Sequence, residues 1–107
     1  KGPGLGVEID EDLNRRLTKL LNVSGVVVLR VAPGSSAAKA GLTGINISRS
    51  GEVVPGDIIT AIDGKPVDSV GKLLSRLDDY RVGDTVRVTV LRKGKSTELK
   101  VTLQPGT

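Results

Sequence analysis

The stretch Gly56–Val67 constrains the fold more than any other part of the chain. Its centre, Ile58, Ile59, Ala61 and Ile62, is an almost continuous apolar run, the pattern of a strand covered on both faces. Asp63-Gly64 follows at once, a dipeptide that accepts positive φ and so reverses a strand tightly. Pro66 has no N–H to donate, which keeps the returning segment out of a central strand. Asp68 or Ser69 stands where a helix starting near Val70 needs its cap. On the upstream side, Gly56 supplies the backbone freedom that a turn before a strand often requires. The domain must therefore wrap both faces of one short strand.

Composition limits how. The chain has 107 residues, enough for one core and not for two. Tyr80 is the one aromatic residue, so Val, Leu, Ile and Ala must fill that core. No Cys and no His remove disulfides, thiolate nucleophiles, the usual general base and the commonest transition-metal ligand. The several Asp residues sit mainly at turns and caps with no evident catalytic mate, so neither a catalytic residue nor a metal ligand or cofactor is expected. The net charge of +4 is mild and spread along the chain, and stacking aromatics are missing, which argues against nucleic acid. No apolar run approaches the roughly 20 residues of a membrane helix, so no membrane insertion is expected. With neither an initiating Met nor a signal peptide, the chain reads as a fragment of a longer protein.

The remaining elements follow from periodicity. Lys1–Val7 is Gly-rich and runs into the alternating Val7-Glu8-Ile9; read alone it is a flexible linker entering a strand, and its glycines do not fit a dinucleotide loop. Leu13, Leu17, Leu20 and Leu21 share one face of a helix from Asp10 to Leu21, with Asp10 as cap. Val26–Val31 is a β-branched strand. Ser35 or Ser36 caps a single turn over Ala37–Ala40 that Gly41 closes. Thr43–Pro55 is polar and Gly-containing, either a surface hairpin or a disordered loop, or else a contact to another protein surface. A further helix spans roughly Ser69 to Tyr80. Within it Leu73 and Leu77 face the core, while Val70 and Leu74 either line a groove beside Val7–Ile9 or join the core too. Gly71 weakens that helix unless it makes room at the groove's end. Thr85–Arg92 and Leu99–Leu103 alternate about a Lys93-Gly94-Lys95 reversal, and Gln104–Thr107 reads as the start of a linker.

Two blocks, Val31-Ala32-Pro33-Gly34-Ser35-Ser36-Ala37-Ala38-Lys39-Ala40-Gly41-Leu42 and Gly56–Val67, together with Leu5-Gly6-Val7 ahead of a strand, resemble a PDZ domain of the HtrA/Deg serine protease type. Residues 43–55 depart from the common pattern and look like the insertion of the chloroplast-type Deg proteins and their bacterial relatives. The resemblance covers essentially the whole chain, 1–107, as a single domain. It implies an α+β, mainly β fold: a partly open barrel or sandwich of five to six strands with two to three helices, in the HtrA strand order.

The same resemblance implies a function. In that family an apolar-Gly-apolar loop turns successive N–H groups onto a peptide's terminal carboxylate, an anion nest in physical terms. Leu5, Gly6 and Val7 match the loop, and Lys1 sits near a supporting basic residue of many members. Backbone pairing along Val7, Glu8 and Ile9 would add the peptide as a strand, with Leu5, Val7, Val70 and Leu74 selecting its last side chain. The expected partners are C-terminal or unfolded hydrophobic segments, a protease domain of the same chain, and an oligomer built on trimers. The expected compartment is the bacterial periplasm or cell envelope, or alternatively the thylakoid lumen. Other readings are an architectural or oligomerisation domain with a closed groove, and a PDZ domain of another bacterial protease type.

Overall fold

The computed structural model describes residues 2–106. In chain order the elements are β1 (Pro3–Gly4), β2 (Val7–Glu8), α1 (Glu11–Leu21), β3 (Val26–Val27), β4 (Arg30–Val31), α2 (Ser36–Ala40) and β5 (Asn46–Ile47). They continue with β6 (Val53–Val54), β7 (Ile58–Ile62), β8 (Lys65–Pro66), α3 (Val70–Leu77), β9 (Thr85–Arg92), β10 (Lys95–Thr102) and β11 (Gln104–Pro105). The fold is mainly β with three helices, and its sheets stay open. The strand segments outnumber the five to six expected. Several are two-residue pairs, and the Val26–Val31 run is split in two.

β7 is the interior strand the sequence demands. It lies between β9 and β3 in the order β10-β9-β7-β3, and β8 folds back on it. Ile59 and Ile62 enter one core with Val86, Val88 and Val90, whereas Ile58 enters a second with Leu17 and Val27. Leu91, which breaks the alternation of β9, packs against that second core. Asp63 and Gly64 take φ of 49° and 78°, the two positive values of a tight hairpin, and Ile62 pairs with Lys65. Tyr80 locks this turn, its hydroxyl donating to Asp63 Oδ2 at 2.6 Å while the Arg87 N–H donates to Oδ1 at 2.8 Å. The Arg87 N–H and then Tyr80 hold the Asp63 carboxyl below its ordinary pKa, and the same bond raises the Tyr80 phenol.

Gly56 is needed for a different reason than expected. It is not among the residues at positive φ; a Cβ there would lie 2.8 Å from Thr43 O and would also run into Gly44 O. That close approach brings Asp57 into a fully buried position. Arg92 grips its carboxylate with Nε and Nη2, both at 2.8 Å, and the Thr43 N–H adds a bond at 2.9 Å. Burial raises the Asp57 pKa, but Arg92 and Thr43 together outweigh it and leave the carboxyl below its ordinary value. In the sequence Asp57 simply follows the turn glycine Gly56. The partner that makes it a hub is 35 positions away.

α1 is capped by Asp10, which accepts the Leu13 N–H at 2.8 Å. Its leucine stripe needs one correction: Leu20 is 78% exposed. The buried arc runs from Leu13 through Leu17 and Leu21 to Asn14 and Thr18, and Leu20 lies about 90° from its middle at 100° per residue. Asn14 is buried instead, donating to Gly25 O and accepting the Val27 N–H, so it pins α1 to the start of β3. The Val26–Val31 strand changes partners midway: β3 pairs with β7, and β4 pairs with β2. Thr43–Pro55 folds as the hairpin β5–β6, with Ile47, Val53 and Val54 exposed. Gln104–Pro105 is not the start of a linker, because it pairs with Pro3–Gly4.

Candidate functional site

Leu5 and Gly6 lie between β1 and β2 and are held by their carbonyls. Leu5 O accepts the Ala37 N–H at 2.8 Å, and Gly6 O accepts the Ala32 N–H at 2.9 Å. The first-turn N–H groups of α2 are thereby spent within the chain: Ser36 N–H on Gln104 Oε1, Ala37 N–H on Leu5 O, Ala38 N–H on Ser35 Oγ. α2 is a clamp on the loop. Each carbonyl is anti to the next residue's N–H across a trans peptide, so drawing Leu5 O towards α2 and Gly6 O towards β4 turns the Gly6 and Val7 amides the other way. Among the described residues no acceptor engages the N–H of Leu5 or Gly6. Gly6 has φ of 90°, and a Cβ there would collide with Ser35. Both observations demand glycine.

β2 continues the same logic. The Ala32 N–H to Gly6 O bond fixes the phase of the β2–β4 ladder, leaving Val7 and Val31 as a non-hydrogen-bonded pair. Val7 therefore points its own N–H and C=O away from β4. On that side β2 has no neighbouring strand among the described residues. Facing the free edge is α3, and between them runs a groove of about 710 Å³. Leu5, Val7 and Ile9 line it from the strand side, and Leu73, Leu74 and Leu77 from the helix side. Leu5 is buried and forms floor, whereas Leu74 is 50% exposed and stands in the opening.

The residues expected at this site divide. Leu5, Gly6, Val7, Glu8, Ile9 and Leu74 all border the groove. The Glu8 carboxylate is engaged with Arg30 Nη1 at 2.9 Å across the β2–β4 pair. Val70 is buried in the core with Val67 and Leu73 and does not border the groove, so of the two roles open to it the structure gives the core. At 100° per residue Val70 lies at the margin of the buried arc it forms with Leu77 and Leu73, about 30° from the middle, and Leu74 about 70° from it. Lys1 lies outside the described residues. Leu29 and Gln104 border the groove without having been anticipated, because each reaches it only through long-range pairing. A run of apolar residues shows burial, not which cavity it serves.

The groove is apolar and open, with paired amides at one end and an unpaired strand edge along its length. Asp10, spent on capping α1, stands at one end and Asp78 near Gly2 at the other. No group of three or more residues suited to hold a metal ion occurs among the described residues. Among the described residues no helix is long and apolar enough to cross a membrane.

A family model described as PDZ domain matches residues 3–103. The chain is 39% identical over 102 residues to protease Do-like 8, chloroplastic, of Arabidopsis thaliana, covering 94% of this chain and 22% of that protein. It is 38% identical over 103 residues to the periplasmic pH-dependent serine endoprotease DegQ of Escherichia coli, covering 95% and 20%. Among solved structures, the HtrA-type protease AlgW with decapeptide matches with a TM-score of 0.71 at 25% identity, over 99% of this chain and 30% of that one. The HtrA3 PDZ domain bound to a phage-derived ligand matches with a TM-score of 0.71 at 19% identity, over 95% and 85%, which bears on the fold alone. The chain thus spans about a fifth of the length of the curated relatives it matches.

Proposed function

This chain belongs to the PDZ domain family, and we propose that it receives hydrophobic peptide segments as an added strand on the free edge of β2. The reading rests on the free edge itself: among the described residues no acceptor engages the N–H of Leu5 or Gly6, the ladder phase leaves the Val7 N–H unused by β4, and an apolar groove runs alongside. An extended segment running antiparallel to β2 would bring its terminal carboxylate to the Leu5–Gly6 amides. Its last side chain would enter between Leu5, Val7, Leu74 and Leu77, a pocket suited to Val, Leu or Ala. Val70 acts beneath that wall as core. The recognised class is C-terminal or exposed hydrophobic segments of unfolded proteins.

In the longer HtrA/Deg-type proteins that this chain resembles, such a module would recruit substrate to, or gate, a separate serine protease domain in a trimer-based assembly. The compartment proposed is the bacterial periplasm or cell envelope, or the thylakoid lumen. The chain itself carries no His or Cys to activate a nucleophile. The test is calorimetric titration with peptides ending in a free Val or Leu, alongside amidated copies. Binding of the free acid that weakens at least about tenfold on amidation supports carboxylate capture. No heat from any peptide sinks it and favours an architectural role.

A further inference from the structure

The molecule has a second unpaired edge, and it is longer. β10 closes the five-stranded sheet on one side, with β9 as its sole strand neighbour from Lys95 to Thr102 among the described residues. Beyond Thr102 the chain is taken up by β11, which pairs with β1. α2 shares the core with Val101 and Leu103 through Ala37, but no backbone bond joins it to β10. Lys93 and Gly94 take φ of 50° and 78°, so Arg92 and Lys95 flank a two-residue hairpin as a hydrogen-bonded pair. Alternation then assigns the remaining groups. Lys95, Thr97, Leu99 and Val101 bond to β9, and Ser96, Glu98, Lys100 and Thr102 turn their N–H and C=O outwards.

From this edge we infer that the chain forms a two-fold dimer with a second copy of itself, β10 against β10, antiparallel and centred on Leu99. That register places Glu98 opposite Lys100 of the second copy, and Lys100 opposite its Glu98. Ser96 and Thr102 meet in the same way at the flanks. All four are outward-bonding positions, so charge complementarity and backbone phase agree in one register. Shifting the centre to Glu98 or to Lys100 keeps the phase but sets two identical charges face to face. The side-chain environment supports the same pairing. Lys100 stands directly opposite Arg87 on β9 and has no carboxylate within ion-pair distance among the described residues. Glu98 reaches Arg87 only at 3.8 Å, both side chains about half exposed. A second copy brings Lys100 the anion it lacks and satisfies an edge that is otherwise a liability.

The test is sedimentation equilibrium of the 107-residue chain across a concentration series, with charge variants at two exposed positions. Wild type should show a monomer–dimer equilibrium. Glu98→Lys and Lys100→Glu should each weaken the dimer at least about tenfold, since each sets like charges face to face. The double variant carrying both substitutions should restore it, since Lys and Glu are again opposed. A monomer at every concentration overturns the inference, and so does a dimer that either single variant leaves intact. Because the chain has no cysteine, Leu99→Cys gives an independent reading. The central pair is non-hydrogen-bonded, the close pairing in which a disulfide bridges strands, so oxidation should cross-link Leu99→Cys and not Thr97→Cys. Equal cross-linking of the two also overturns the register.

Discussion

The free edges of β2 and β10 expose the same backbone groups and are managed in opposite ways. β2 is two residues long, flanked by a glycine at positive φ, and walled by apolar side chains from α3. β10 is eight residues long, has α2 packed against it, and presents the side chains of Ser96, Glu98, Lys100 and Thr102 to solvent. An edge beside an apolar wall can hold a flexible segment, because the wall adds area burial to the few bonds so short a strand can make. An edge that presents polar side chains must rely on length and charge register, which suits a rigid strand of matching pattern. What an open edge accepts depends less on the strand than on what stands beside it.

Gly6→Val should break the β2 edge most severely. The new side chain collides with Ser35 and strains a backbone at φ of 90°, costing about 3 kcal/mol in urea unfolding and abolishing peptide binding. Asp57→Ala comes next, also at about 3 kcal/mol, because it removes the buried carboxylate that holds Arg92, at the end of β9, and the Thr43 N–H. Peptide affinity should survive in the fraction that remains folded.

The same carboxylate sets an acid limit. The folded pKa of Asp57 lies below the ordinary 3.8, so its contribution is complete above that value. It is lost as pH falls through the folded pKa. Thermal melts of wild type between pH 5 and 2 should fall more steeply than those of Asp57→Asn. Parallel curves would contradict the assignment.

Leu74→Ala should weaken peptide binding about fivefold to tenfold with little loss of stability, since the side chain is half exposed in the free protein. The reverse result would mean that Leu74 serves packing and not the groove. Gly71→Ala is the smallest change. It sits on an exposed helical turn with nothing within 4 Å of its added carbon, so it should stabilise by about 0.5–1 kcal/mol in urea melts.

Much of this was legible in the sequence where a pattern is local. The two-sided strand, the Asp63-Gly64 reversal, the caps at Asp10, Ser35 and Ser69, and the β9–β10 hairpin each declare themselves within a few residues. What was not legible depends on residues far apart. Asp57 looks like a turn until Arg92 reaches it, and the leucine periodicity of α1 passes over Asn14, which is buried where Gly25 O and the Val27 N–H meet it. Periodicity also misjudges the margins of an arc: Leu20 and Val70 each carry the right spacing, yet one is exposed and the other is core. The loop Leu5–Val7 is legible by resemblance. Its amides are aimed by α2 and β4, and no local pattern could say so.

The central claim is that peptide lies along the free edge of β2 with its terminus at the Leu5–Gly6 amides. Amide chemical shifts followed during titration with a peptide ending in a free aliphatic carboxylate test it most directly. The account predicts the largest changes at Leu5, Gly6, Val7 and Ile9 and at Leu74 on α3, with the Leu5 and Gly6 changes lost when the peptide is amidated. Changes centred on β10 or on the β5–β6 hairpin, with Leu5–Ile9 silent, would contradict it.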